Sequence, residues 1–335
     1  MPSVRSIPRL LVTLILAAAG ATACSSSPPG GSPSSGGTPG TASRPAPLVP
    51  SIHTASFRLP SPLQREVVVP TEAGLLLAGG LTSADASLAT VARMDPESGA
   101  LTPLGSLTTP VHDAAGAILG GRLVVFGGGA ATSLDTVQAF DPANGTSSVV
   151  AHLPGPRSDL AVAMVGTTAY VIGGYDDVSP RREIYATTDG STFRKVADLP
   201  TGLRYPGVAV VGSKIIIVGG QTAAGASAAV LSFDPATRRV RKLATLPTPI
   251  GHAAVFPMGG LVCVVGGLTA GGVAVRTVTT IDARTGVVAS LPLLHRAITD
   301  AGVGLTNNGA LIIGGARGSD VAGTVASILV ATMHR

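Results

Sequence analysis

The stretch Asp159–Gly174, DLAVAMVGTTAYVIGG, decides the fold. One apolar run, Leu160–Val165, meets a short turn at Gly166-Thr167-Thr168, and a second, Ala169–Ile172, ends on a glycine pair. The pattern predicts two strands joined by a tight turn, with no helical periodicity. The glycine pair recurs at Gly79-Gly80, Gly127-Gly128, Gly173-Gly174, Gly219-Gly220, Gly266-Gly267 and Gly314-Gly315, in steps of 48, 46, 46, 47 and 48 residues. Each pair closes an apolar run: LLLA, LVVF, AYVI, IIIV, VCVV and ALII. A continuous apolar run suits a strand covered on both faces. A period of about fifty residues points to a propeller of repeated blades.

Outward from the same stretch, Glu183–Asp189 reads as a third strand, Asp189-Gly190-Ser191 as a turn and Phe193–Leu199 as a fourth strand. Asp heads the corresponding turn at Asp95, Asp141, Asp234 and Asp282, where a carboxylate can accept from the backbone two residues on. Leu-Pro closes the unit at Leu153, Leu199, Leu246 and Leu291. After the sixth glycine pair, Thr324–Val330 supplies a third strand but no fourth follows, while Ser56–Pro60 looks like an unattached fourth strand near the start. An all-β, six-bladed propeller is predicted, closed by N-terminal and C-terminal strands in one blade. Closure of that kind removes open sheet edges from the circuit.

The unit resembles the kelch repeat, through the YVIGG at 170–174, Arg157 after a proline, and the Asp-headed turn. The chain has no Trp, although the family packs Tyr and Trp between blades. Leu, Ile, Val, Phe126 and Phe193 are expected to fill those places. The resemblance implies that the first strand of each blade lines a central channel and that the loops entering it form one face.

The ends predict location. Arg5 and Arg9 precede the apolar Leu10–Ala19, which is short for a membrane span, and Ala21-Thr22-Ala23-Cys24 resembles a bacterial lipoprotein signal box. That resemblance implies a signal peptide over 1–23 and a lipidated (palmitate-bearing) Cys24 as the first mature residue. From Cys24 to Pro50 the chain is nearly all Ser, Pro, Gly, Thr and Ala, the composition of a disordered tether. Residues 51–335 are assigned to the propeller. The expected product is an extracytoplasmic monomer, held to the membrane through its lipid only. Cys263, in VCVV, reads as a buried thiol. The formal charge is +5, with basic residues scattered and no basic stripe interleaved with aromatics, which argues against nucleic acid.

The candidate site follows from using the glycine pairs as a ruler. Fourteen residues before the pair stand Asp113, Asp159, Tyr205, His252 and Asp300. The first blade's turn reads as one residue shorter, which assigns Glu66 to its place. Arg65, Arg157, Arg204 and Arg296 lie close in sequence, and Arg157 is counted with the site. Converging carboxylates need protonation, arginine partners or a bound cation. Two readings stand: a salt-bridged network, or a ligand site at the channel mouth for a sugar, a small polar molecule or a hard cation, with Ca²⁺ better suited than Zn²⁺.

No phosphate loop, nucleophile elbow or His-Glu-x-x-His occurs in the chain. Neither a catalytic residue, nor a metal ligand, nor a cofactor is assigned. The functional expectation is a surface-anchored binding or scaffold module for a protein or an envelope carbohydrate. The alternative is a sugar-modifying enzyme of epimerase or mutarotase type, using ring carboxylates as acid and base.

Overall fold

The computed structural model describes residues 49–334. The leader, Cys24 and nearly all of the tether therefore lie outside the described residues. Among the described residues no helix is long and apolar enough to cross a membrane.

Six four-stranded antiparallel sheets follow one another along the chain. The first contains Val67–Thr71, Gly74–Ala78, Leu88–Met94 and Leu101–Val111. The third contains Ala161–Val165, Thr168–Ile172, Glu183–Thr187 and Arg194–Asp198, close to the strands read from sequence. In the sixth sheet the outermost strand is Val49–Arg58, paired with Ser327–His334. The ring is thus closed by the two ends of the chain, as expected. The closing strand starts at Val49, two residues before the boundary assigned to the propeller.

The hydrophobic core lies between neighbouring blades. Leu123, Val125 and Phe140 of the second blade pack with Val67, Leu76 and Val91 of the first. Four phenylalanines, Phe126, Phe140, Phe233 and Phe256, are among the largest fully buried side chains. Phe126 meets Phe193 edge-on, with ring centroids 6.1 Å apart. Cys263 is a free buried thiol, its pKa pushed up to about 12 by burial. The Asp-headed turns behave as read: Oδ1 of Asp95, Asp141, Asp189, Asp234 and Asp282 accepts from the backbone N–H two residues on.

The glycine pairs are where blades touch. The first glycine of each pair has φ between 56° and 65°, the second between 91° and 107°. The second donates its N–H to a carbonyl on the loop entering the next blade, at 2.8–2.9 Å: Gly80 to Val111, Gly128 to Arg157, Gly174 to Leu203, Gly220 to Ile250, Gly267 to Ile298, and Gly315 to Leu63. A Cβ on the first glycine would run into that same carbonyl oxygen in all six cases. Glycine is therefore required twice over, by the left-handed backbone and by the close approach of the next blade.

Two glycines of the second blade separate these requirements. Gly120 and Gly127 share φ of 56°, but a Cβ on Gly120 meets open space. Gly120→Ala should cost about 1–2 kcal/mol, the left-handed term alone. Gly127→Ala should cost at least about 2 kcal/mol more, because the collision adds to the same strain. Urea denaturation of the two variants measures the difference, and equal losses would contradict it.

Candidate functional site

Each first strand is preceded by one non-glycine residue held in the left-handed region: Arg65, Asp113, Asp159, Tyr205, His252 and Asp300, with φ between 50° and 58°. Their backbones are chained. The N–H of each donates to the carbonyl of its counterpart in the preceding blade: Asp113 to Arg65, Asp159 to Asp113, Tyr205 to Asp159, His252 to Tyr205, Asp300 to His252, and Arg65 back to Asp300, at 2.8–3.4 Å. This closed belt brings six side chains together around a small cavity of about 130 Å³.

Five of the residues expected at the mouth, Asp113, Asp159, Tyr205, His252 and Asp300, are in this ring. Glu66 is not; Arg65 holds the first blade's place. The reason is that the first hairpin is no shorter than the others: Val67 pairs with Ala78 as Ala115 pairs with Phe126. The fourteen-residue ruler therefore applies without adjustment. Glu66 lies one residue further along, buried beside the ring.

Arg157 is also displaced. It holds the place two before the ring residue, taken elsewhere by Leu63, Val111, Leu203, Ile250 and Ile298. That place packs between blades. The Arg157 side chain is buried, donates to the Gly173 carbonyl at 2.8 Å and to Glu183 Oε2 at 2.9 Å, and lies over the Tyr185 ring. Burial works against the Glu183 carboxylate, but a backbone hydrogen bond and Arg157 outweigh it and bring its pKa to about 2. Arg157 is thus a packed structural cation. Arg296 and its neighbour His295 are exposed.

Electrostatically the ring pairs its own charges. Arg65 contacts Asp113 at 3.2 Å and Asp300 at 3.4 Å. The His252 imidazole meets Asp300 Oδ1 at 2.6 Å through Nδ1, and stacks on Tyr205 with centroids 3.5 Å apart. The Tyr205 hydroxyl donates to Asp113 at 3.2 Å. Arg204, sandwiched near the rings of Tyr175 and Tyr205, contacts Asp159 at 2.5 Å. His112 adds a bond from Nδ1 to Ser87 Oγ at 2.8 Å. The carboxylates of Asp113, Asp159 and Asp300 are only 2–6% exposed. Among the described residues no group of three or more His, Cys, Asp or Glu is arranged to hold a metal ion.

The three carboxyl groups are not equivalent. Burial, reinforced by the Asp113 charge, raises Asp159 to about 6 against the pull of Arg204. Burial also raises Asp113, with Arg65 opposing. Asp300 is lowered, because His252 and Arg65 outweigh its burial. Glu66 is pushed up to about 8, chiefly by burial.

The polar loop Tyr175–Glu183 is tied down internally. Arg181 bridges Asp176 and Glu183, both at 2.9 Å, and Asp177 accepts from the backbone N–H and hydroxyl of Ser133 in the second blade. At its tip Val178 is 84% exposed.

The family model of the kelch motif matches residues 110–154 and 202–247, which are the second and fourth repeats of the glycine ruler. The chain is a six-bladed β-propeller, and its second and fourth repeats carry the kelch motif. A solved structure titled "Structure of YjhT" superposes with a TM-score of 0.70 at 16% identity, covering 83% of this chain and 99% of that one. At that identity the likeness concerns the fold. No curated protein matches the chain. In this propeller the ring is the point on which all six blades converge.

Two measurements test the ring. Arg65→Met leaves Asp113 and Asp300 without their shared cation, and should destabilise the fold by about 3–5 kcal/mol in urea denaturation; a loss within 0.5 kcal/mol, about the level of a neutral surface change, would contradict the pairing. The second concerns pH. Folded Glu66 keeps its proton up to about 8, whereas the unfolded chain loses it near 4.5. The folded state binds more protons in that window, so this group's stabilisation is complete below pH 4.5 and is lost as pH rises through 8. The difference in stability between the native chain and Glu66→Gln should change over pH 4.5–8 with that sign, and a flat difference would refute the assignment.

Proposed function

We propose that this propeller is a binding or scaffold module that works at the outer face of a cell membrane, tethered through lipidated Cys24, and takes a protein of the envelope on the face that carries the ring. The anchor rests on the Arg5/Arg9, Leu10–Ala19 and Ala21–Cys24 pattern and on the Ser/Pro/Gly spacer behind it.

The observation that carries the binding reading is the state of the ring. Its carboxylates are buried and engaged with Arg65, Arg204 and His252, so they rigidify the face and offer no free acid–base pair to a substrate. Around it, the loops that follow the glycine pairs or lead into the next blade expose large apolar side chains: Val178 at 84%, Val273 at 63% and Leu293 at 58%. Apolar side chains at loop tips on a rigid scaffold suit a protein partner better than a carbohydrate.

The enzymatic alternative draws on one feature, the spread of acidity between Asp159, raised to about 6, and the lowered Asp300. Such a separation is what an acid–base pair requires. The low exposure of both groups favours binding.

The two readings part experimentally. The full chain, cross-linked in its native membrane, should capture a defined envelope protein, and the triple variant Val178→Asp, Val273→Asp, Leu293→Asp should lose it while keeping its melting temperature. Undiminished capture would overturn the ring-face assignment. A glycan bound by both forms, and lost in Asp159→Asn, would replace the protein partner with a carbohydrate. The anchor has its own test: the intact mass of the membrane-extracted protein should match an acylated chain beginning at Cys24, and a free Cys24 would refute it.

A further inference from the structure

In each blade the first strand starts at the ring and runs away from it. The turn to the second strand and the Asp-headed turn therefore lie on the face opposite the ring. In the sixth blade the chain ends take the place of the Asp-headed turn: Val49 pairs with His334, and the closing strand runs from there back toward the ring side, where Arg58 pairs with Ser327. Residues 24–48 thus join the propeller on the face opposite the ring.

Charge on that face is segregated. At the edge of the fourth blade Lys214, Asp234 and Arg239 stand level across three strands, because Ile215 pairs with Phe233 and Asp234 with Arg239. Arg241, two residues along the outer strand, is on the same side of the sheet. Arg284 lies in the Asp-headed turn of the fifth blade, which packs on that outer strand: a Cβ on Gly286 would press on the Leu243 carbonyl. These four cations are exposed, and none forms an ion pair among the described residues. Asp234 and Asp282 are the only carboxylates of residues 206–299, and each accepts from the backbone N–H groups of its own turn. Large apolar side chains are exposed beside the cations: Val287 after the fifth blade's turn, Leu305 at the end of the sixth blade's first strand, and Val49 at the entry of the tether.

We propose that the fourth-to-sixth-blade sector of this face docks on an anionic phospholipid surface and turns the ring face outward, an orientation that rests on the anchored reading above and goes beyond it. Unpaired cations bordered by exposed apolar side chains are the composition of a surface that binds anionic lipid: the cations are drawn to the headgroups and the apolar groups enter the interface. The contact is one-sided. The first blade, across the axis from the fourth, exposes Glu72, Asp95 and Glu97 on the same face, which an anionic surface repels. Val49 lies 25 residues beyond Cys24, a reach of at most about 90 Å. A lipid on Cys24 keeps the sector near the bilayer, so a weak surface affinity is enough to hold it down.

Residues 46–335 form one compact unit that contains all six blades and every core cluster, so the test uses this unit without leader or lipid. In co-sedimentation at low salt it should bind vesicles of equal parts phosphatidylglycerol and phosphatidylcholine, and not vesicles of phosphatidylcholine alone. Each cation near such a surface contributes about fivefold to partitioning, so the double variant Arg239→Glu, Arg284→Glu should weaken it at least about tenfold. The double variant Arg276→Glu, Arg296→Glu makes the same charge change at exposed places on the ring side, and should stay within about twofold. The chain has no Trp, so Val287→Trp reports the contact by itself: its emission should shift to the blue on anionic vesicles, and that of Val178→Trp should not. No binding to anionic vesicles, equal losses in the two double variants, or a shift at Val178→Trp as large as at Val287→Trp would overturn the proposal. Binding to heparin without binding to the vesicles would assign the sector to a polyanion and overturn it equally. The anchor fails separately, through the mass of the membrane-extracted protein, because this unit lacks Cys24.

Discussion

The molecule is organised around the closed belt of six backbone hydrogen bonds that circles its axis. Each bond requires a left-handed residue, and left-handed geometry costs a non-glycine residue about 1–2 kcal/mol. Asp and His are enriched among residues that tolerate it, which fits Asp113, Asp159, His252 and Asp300; Arg65 and Tyr205 are held there by the same belt. Because the six backbones are equivalent, their side chains converge. The belt thus places three carboxyl groups close together in a buried setting. The cations follow as a necessity: Arg65 answers Asp113 and Asp300, Arg204 answers Asp159, and His252 bonds Asp300.

The glycine pairs serve the same belt one layer out. The second glycine bonds the loop carbonyl two residues before the next ring residue, so each blade fixes where its neighbour's ring residue starts. Position along the chain then translates into position around the axis. The apolar runs ahead of the glycines supply the inter-blade core, and the terminal strands Val49–Arg58 and Ser327–His334 complete the circuit. The result is a rigid frame with a polar, self-neutralised plug at one end and the axial channel behind it.

Much of this was legible because the repeat is a measuring device. Blade number, strand order, the Asp turns and closure through the chain ends all follow from periodicity. The site was legible where the ruler was applied strictly, and misread at Glu66, where a shorter turn was assumed and the hairpin has the common length. Arg157 shows a different limit. It stands two residues from a ring carboxylate, but the place it occupies faces the inter-blade core in every repeat, and chain proximity carries no information on side-chain direction. The same comparison, made at the place after the ring residue, would have separated Glu66 from five apolar counterparts. The pairings of Arg65 with Asp113 and Asp300, and of Arg204 with Asp159, depend on distances across the axis, which no local pattern contains.

Amide hydrogen exchange tests the belt most directly. The account predicts that the N–H groups of Arg65, Asp113, Asp159, Tyr205, His252 and Asp300 exchange only with global unfolding, as slowly as those of the buried strand Gly74–Ala78, although all six lie in loops. The decisive one is Arg65, whose bond to Asp300 joins the first blade to the last. An Arg65 amide that exchanges at the rate of an exposed loop would show an open belt and contradict the account.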